Sequence, residues 1–171
     1  QSVDEIKNFF RIHQDIITKP LYGNGGEGIQ RSQDGFLEGI DIHSDYLEMP
    51  IMVQKYIPEI CEGDRRIIFF DGDYVGSVAR IPSKGSIKAN FHAGGTAKKI
   101  GLVFRDQQII QALGKELKKM DLFFVGIDII GNYLTEINVT SPTGIKQINK
   151  LNNIKLEEVF WDKLEAKYKI V

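Results

Sequence analysis

Two stretches of this chain read as tight β-hairpins, and they constrain the fold more than any other feature. Arg66 to Phe70 and Tyr74 to Ile81 are β-like runs on either side of Asp71-Gly72-Asp73, and Phe123 to Ile130 and Leu134 to Val139 flank Gly131-Asn132. Turn residues of this kind reverse a strand within two residues, so the strands they join pair antiparallel. Asp15 to Lys19 (ended by Pro20), Ile29 to Ser32 and Ile51 to Gln54 add further β-like runs. Helices punctuate the strands. Ser2 and Glu5 form a capping box ahead of an apolar face of Val3, Ile6, Phe9 and Phe10. Asp106 caps a helix striped by Ile109, Ile110, Leu113, Leu117 and Met120. Leu156, Val159, Phe160, Leu164 and Tyr168 mark a last helix, with Trp161 packing it onto the body. Residues 33–50 are mixed, with room for a short helix, and residues 82–99 read as one long loop. The class is α+β, with largely antiparallel sheets and flanking helices.

Composition narrows the function classes. The chain has 171 residues, 42% of them apolar, enough for one domain or two small lobes. Lysine and arginine number 22 against 23 acidic residues, a net charge of −1 that gives no support for nucleic acid or a membrane surface as partner. The apolar runs are too short to span a bilayer, and Gln1-Ser2-Val3-Asp4 is no signal-peptide start. The absence of an initial Met fits removal of a preceding segment. Cys61, the one cysteine, excludes an internal disulfide and fits a reducing cytosol; with no histidine nearby it reads as an inert thiol.

Three groups of residues carry chemistry. Gly23-Asn24-Gly25-Gly26-Glu27-Gly28 matches a dinucleotide fingerprint, but β-like Ile29-Gln30-Arg31 follows it where that fingerprint needs a helix. The loop is either a flexible surface turn or a glycine cover over phosphates, with Lys19 at the end of the preceding strand able to reach the same phosphates. Asp128, Glu136 and Asn138 are hard oxygen donors suited to Mg²⁺ shared with a substrate phosphate. Glu136 and Asn138, two apart on a strand, share a face, leaving Ile137 and Val139 to the half-buried other face. A plain two-residue turn sets Asp128 opposite Thr135; the metal reading therefore needs a loop of residues 131–133 or a bulge to bring Asp128 opposite Glu136. The alternative is solvent-facing carboxylates on an exposed sheet. Asp64-Arg65-Arg66, read alone, is a solvated charged loop, whereas Arg80 at a strand end is placed to clamp a carboxylate or phosphate. His13, His43 and His92 have no ligand spacing.

Taken together, these segments resemble the ATP-binding half of bacterial glutathione synthetases, a family of ATP-grasp ligases. The resemblance runs along nearly the whole chain. It is carried by Asp15 to Leu21 with Gly23 to Gly26, Gln54 to Pro58, Gly63 to Arg66, Ala79 to Pro82, Asn90 with Ala93-Gly94-Gly95, and Gly126 to Gly131. Its most specific piece is Leu134-Thr135-Glu136-Ile137-Asn138-Val139-Thr140-Ser141-Pro142-Thr143. Lys88 stands where relatives tend to carry arginine, and Gly144 where cysteine is common.

The resemblance implies an ATP-grasp fold in two lobes, a small lid lobe at 1–55 and a larger lobe at 56–171, without the N-terminal domain and upstream lysine of the full enzymes. It implies a cytoplasmic enzyme that forms glutathione from γ-glutamylcysteine, glycine and ATP through an acyl phosphate, homo-oligomeric at full length. By the same resemblance, Lys19 holds ATP phosphates under Gly23, Gly25 and Gly26, and Gln54, Lys55, Tyr56 and Ile57 offer backbone hydrogen bonds to adenine. Asp64 touches the ribose, and Asp128, Glu136 and Asn138 carry two Mg²⁺ ions, with Mn²⁺ as a substitute. Arg66 and Arg80 are catalytic. Arg80, Asn90, Gly94, Gly95, Asn138, Thr140, Ser141 and Thr143 bind the peptide under a mobile loop of residues 82–96. Two further readings stand beside this one: a related amino-acid ligase, or an ATP-binding fragment inactive without its N-terminal half.

Overall fold

The structure is a computed structural model that describes residues 3–22, 26–33 and 50–169. The chain divides into two compact units, Gln1–Pro58 and Glu59–Val171. In the first, helix α1 (Val3–His13) is followed by strands β1 (Asp15–Pro20), β2 (Gln30–Gln33) and β3 (Ile51–Lys55), paired in the order β2-β1-β3. Gln14 makes the corner in the left-handed region (φ 59°), its N–H donating to the Phe10 carbonyl at 2.7 Å. β1 alternates: Ile16 and Thr18 are buried, and Ile16 packs with Ile6 and Phe10 of α1. Lys19 therefore lies on the opposite sheet face, which it shares with Met52, its cross-strand partner, and with Gln54. On that face Arg31 forks onto Asp15 at 2.9 and 2.6 Å and stacks 3.5 Å from the Tyr56 ring. Ser2, Gly23 and Gly25, His43 and residues 34–49 fall outside the described residues, and with them the capping box, most of the glycine loop and the short helix.

The second unit is built on a five-stranded sheet of order β6-β5-β4-β7-β8, comprising β4 (Asp64–Phe70), β5 (Asp73–Ile81), β6 (Thr96–Lys98), β7 (Phe124–Ile130) and β8 (Tyr133–Asn138). Every strand pairing among the described residues is antiparallel. The expected hairpins are present. Asp71 and Gly72 both take positive φ (50° and 79°), the requirement of the tightest hairpin turn, and Gly131 takes φ 56° at the second. Helix α2 (Phe104–Lys119) covers one sheet face, where Ile109 and Leu117 meet Ile67, Phe69, Val125, Ile127 and Ile129. Helices α3 (Ile145–Asn152) and α4 (Leu156–Tyr168) cover the other through Ile148, Leu156 and Phe160, packed on Ile68, Phe70 and Val78. Both faces of β7 are thus covered, which is why its run is nearly all apolar.

The structure corrects several local expectations. Asp106 is the third residue of α2, not its cap; its carboxylate accepts the Val103 N–H at 3.1 Å from inside the first turn. Residues 82–99 are not all loop, since Thr96–Lys98 adds an edge strand to β5. Phe160, not Trp161, anchors α4, with its ring edge-on to Phe70 at 5.2 Å, while Trp161 is exposed. Ile137 and Val139 are also exposed rather than half-buried, and among the described residues β8 is the edge of its sheet. Helix α3 has no counterpart in the sequence reading.

Candidate functional site

The site is built on β4. Its alternation places Arg65 on the α2 face and Asp64 and Arg66 on the other, and the sheet register brings Arg80 opposite Asp64 and Asp128 opposite Arg66. Far from forming a solvated loop, Asp64 and Arg66 are buried, as are Arg80 and Asp128. Such charges persist in a protein interior only when paired, and here they form a chain. Arg80 donates Nε to Asp64 Oδ1 and Nη2 to Asp64 Oδ2, both at 2.6 Å, and its Nη2 also reaches Asp128 Oδ2 at 2.6 Å. Arg66 forks onto the same Asp128 carboxylate at 2.5 and 2.9 Å and donates Nη1 to the Thr143 carbonyl at 3.2 Å. Two arginines and two aspartates leave the chain neutral. Burial pushes the Asp64 carboxyl above its usual range, with the Arg80 hydrogen bond opposing it. Burial works against the charged form of Arg80 too, but its hydrogen bonds to Asp64 and Asp128 and their charges outweigh it, and the guanidinium is held more firmly protonated than usual.

The register left open by the sequence is settled by a bulge. β7 and β8 meet through a two-residue turn, and an irregularity at Asp128/Ile129 shifts the pairing so that Asp128 faces Glu136. Thr135 takes up the extra residue, its hydroxyl donating to the Asp128 carbonyl at 3.1 Å. Asp128, Glu136 and Asn138 consequently share one face, the face of the Arg–Asp chain. Glu136 is exposed, and among the described residues its carboxylate has no ion-pair or hydrogen-bond partner. The Asn138 Oδ1 accepts the N–H groups of Thr140 (3.3 Å) and Ser141 (3.2 Å), turning the chain at the end of β8. Among the described residues no three His, Cys, Asp or Glu side chains converge. Two carboxylates and an amide are a partial set of hard oxygen donors, and the set fits a divalent cation that takes its remaining oxygens from water or phosphate.

The other expected site residues are distributed over both units. Asn90 holds the loop after β5 together by its carbonyl, which accepts the N–H groups of Ala93 and Gly95 at 3.0 Å each. Gly94 adopts φ 88°, and a Cβ on Gly95 would run into the Ala89 carbonyl, so both positions require glycine. Phe91 of this loop lies 5.9 Å from the Arg80 guanidinium, and Thr143 reaches Arg66, so each of these loops touches a member of the chain. In the first unit, β3 ends at Lys55, and the Tyr56 N–H donates to the Asp15 carbonyl at 3.0 Å. Gly26 takes φ 81°. Arg65, which the sequence reading placed in a solvated charged loop, instead donates Nε to Asp106 at 3.0 Å and Nη2 to the Gly131 carbonyl. Its partner is 41 residues away.

Comparison with known proteins places this arrangement. The fold is that of ATP-grasp enzymes: the chain superposes on a D-alanine–D-alanine ligase from Bacillus anthracis complexed with ATP (TM-score 0.65, 15% identity, 99% of this chain and 58% of that one). It also superposes on an ATP-grasp ligase, PsnB, complexed with a minimal precursor, Mg and ADP (TM-score 0.66, 16% identity, 97% and 50%). Within that class the chain belongs to the prokaryotic glutathione synthetase ATP-grasp domain family, matched over residues 1–153. It is 39% identical over 170 residues to the glutathione synthetase of Agrobacterium fabrum (98% of this chain, 53% of the relative). To that of Prochlorococcus marinus subsp. pastoris it is 41% identical over 165 residues (95% and 54%). The chain thus spans about half the length of these curated relatives. Among the described residues no helix is long and apolar enough to cross a membrane.

Proposed function

We propose that this chain is the ATP- and metal-binding part of a cytosolic ligase that joins γ-glutamylcysteine to glycine. The observation that carries the reading is the register of β7 and β8, which sets Asp128 opposite Glu136 with Asn138 two residues on, all on one sheet face. Mg²⁺ or Mn²⁺, bound there as one or two ions, would neutralise phosphate charge during transfer. The rest falls to the chain's own groups. Lys19, with Gly23, Gly25 and Gly26, binds the ATP phosphates, and backbone groups of Gln54 to Ile57 bind the adenine. Arg66, a fixed cation beside Asp128, faces the transferring phosphoryl group. Asn90, Gly94, Gly95, Thr140, Ser141 and Thr143 position the peptide, and the loop of 82–96 excludes water.

In the first step the γ-phosphoryl of ATP moves to the glycine-accepting carboxylate of γ-glutamylcysteine, giving ADP and an acyl phosphate. In the second the glycine amine attacks that carbonyl, phosphate leaves, and the amine gives up a proton. Water exclusion matters because the acyl phosphate would otherwise hydrolyse.

Calorimetric titration with MgATP, followed by a phosphate-release assay with γ-glutamylcysteine and glycine, tests the reading. Binding with turnover that needs both amino substrates supports it in full. Binding without turnover supports an ATP-binding part that needs its other half, and turnover with a different acceptor supports a related ligase. Asp128→Asn and Glu136→Gln should each weaken Mg²⁺-dependent ATP binding by about tenfold or more, while Glu116→Gln on the exposed side of α2 leaves it unchanged. Equal effects at all three positions would remove the metal assignment.

A further inference from the structure

Arg31 has no part in the reaction proposed above. It stands three residues after Gly28 of the glycine loop and shares a sheet face with Lys19 and Gln54, where a cation reads as a second phosphate ligand. Its guanidinium lies at the other end of the sheet. Asp15 opens β1 and Lys19 lies four residues on, about 14 Å of antiparallel strand. The Arg31 Nε and Nη2 fork onto Asp15 at 2.9 and 2.6 Å, and its central carbon lies 3.5 Å from the centre of the Tyr56 ring. We propose that Arg31 is a positioning residue for adenine recognition, acting through Tyr56, and not a ligand of the ATP phosphates. The inference rests on the nucleotide site proposed above and deepens its base end.

Asp15 acts on Tyr56 twice. Its carbonyl accepts the Tyr56 N–H at 3.0 Å, which ties the main chain just past the end of β3 to β1. Its carboxylate aims the Arg31 plane at the ring of the same Tyr56, and a guanidinium oriented by a fork presents a flat cationic face that stacks on an aromatic ring. Main chain and side chain of Tyr56 are thereby both held, by β1 and by β2. The peptide planes on either side of Tyr56 are the ones assigned to adenine, and a hydrogen bond weakens steeply as its angle is lost. Releasing the ring frees those planes to tilt while Lys19, four residues further along β1, keeps its place. Charge gives the same assignment. Arg31 and Asp15 form an ion pair with no net charge, so together they add little attraction for a triphosphate.

The test measures, by calorimetry with Mg²⁺ present, the affinities for three ligands. These are ATP, GTP (the same ribose and phosphates with another base) and inorganic tripolyphosphate. Arg31→Ala is expected to weaken ATP about 3- to 10-fold, the range of a partly exposed cation–π contact, and to leave tripolyphosphate unchanged. The preference for ATP over GTP should shrink by the same factor. Arg31→Lys keeps the charge without the planar fork, so it should match Arg31→Ala, and it serves if Arg31→Ala does not fold. Tyr56→Leu should lose a similar factor, and Arg31→Ala/Tyr56→Leu no more than either alone, because the pair acts as one unit. Equal weakening of all three ligands, whether from a lost phosphate contact or a loosened sheet, overturns the inference. So do unchanged ATP affinity in Arg31→Ala, full ATP affinity in Arg31→Lys, and additive losses in the double variant. In each of those cases a parent chain that prefers ATP to GTP leaves the nucleotide site standing. A parent chain that binds neither nucleotide, or both alike, overturns the adenine site and the inference together.

Discussion

Arg65 and Arg66 are neighbours on β4, yet one belongs to the framework and the other to the candidate site. Arg65 projects to the α2 face, where it ties the first turn of α2 to the β7–β8 turn through Asp106 and the Gly131 carbonyl. Asp106 is fully buried and also accepts the Val103 N–H, so each of its oxygens has a fixed partner. Arg66 projects to the other face, onto a carboxylate that lies opposite the exposed Glu136. Both arginines answer the cost of burying an aspartate. Only the second answers it next to an exposed carboxylate, that of Glu136. Burial and ion pairing are the same in kind at the two places, so what separates them is the chemistry of the next residue along the sheet.

The strongest challenge to this contrast is Asp106→Ala. It removes an N–H acceptor at the helix start and leaves Arg65 without its charge partner. Unfolding in urea should show a loss of about 3 kcal/mol, the low end for breaking a buried pair because Arg65 keeps the Gly131 carbonyl and some water. Mn²⁺ binding at saturating ATP should not change. A loss below about 1 kcal/mol would show that the pair does not lock the α2 face.

Two glycines sharpen the contrast at lower cost. A Cβ on Gly76 would lie 2.7 Å from Ile148 Cγ2, and one on Gly126 would lie 2.5 Å from Pro142 Cβ and 3.2 Å from Arg66 Nη1. Alanine at either position should cost about 1–3 kcal/mol by overpacking, read as a fall in the urea midpoint. Only Gly126→Ala should also weaken Mn²⁺ binding, because it crowds the guanidinium that holds Asp128. Equal effects on Mn²⁺ would mean that the site responds to general strain.

The sequence made part of this contrast legible. The turn at Asp71-Gly72 was readable because positive φ at two successive residues asks for that chemistry. The shared face of Glu136 and Asn138 followed from strand alternation. The facing of Asp128 and Glu136 did not, since a three-residue loop and a bulge satisfied it equally; the Thr135 hydroxyl on the Asp128 carbonyl accompanies the bulge. Nor was the burial of Asp64 and Arg66 readable. Their partners lie 16 and 62 residues away and meet them only once β4 is central in its sheet. Helix α3 was missed because it is eight residues long and enters from Gly144 at φ 121°, a start without a side-chain cap.

The smallest expected effect lies far from both arginines and serves as their control. Lys167 of α4 donates to Asp71 at 2.5 Å and to Asp121 at 2.6 Å, tying the last helix to the β4–β5 turn and the end of α2. The hydrogen bond from Lys167 holds the Asp71 carboxyl below its usual range, and those to Asp121 and Asp71 hold the Lys167 ammonium above its own. A carboxyl depressed by folding stabilises above its unfolded pKa of about 3.9, and that contribution is lost as pH falls through the folded value. An ammonium raised by folding stabilises below about 10.4, and that contribution is lost as pH rises through its folded value. Lys167→Met should therefore trail the parent by a constant margin across the neutral range, with the two stability curves converging in acid and in strong base. Added salt should shrink the margin, since the groups are near the surface, whereas the deficit of Asp106→Ala should resist salt. A salt-insensitive Lys167→Met deficit would place this clamp with the buried pairs, and the line drawn between framework and surface charges would need to move.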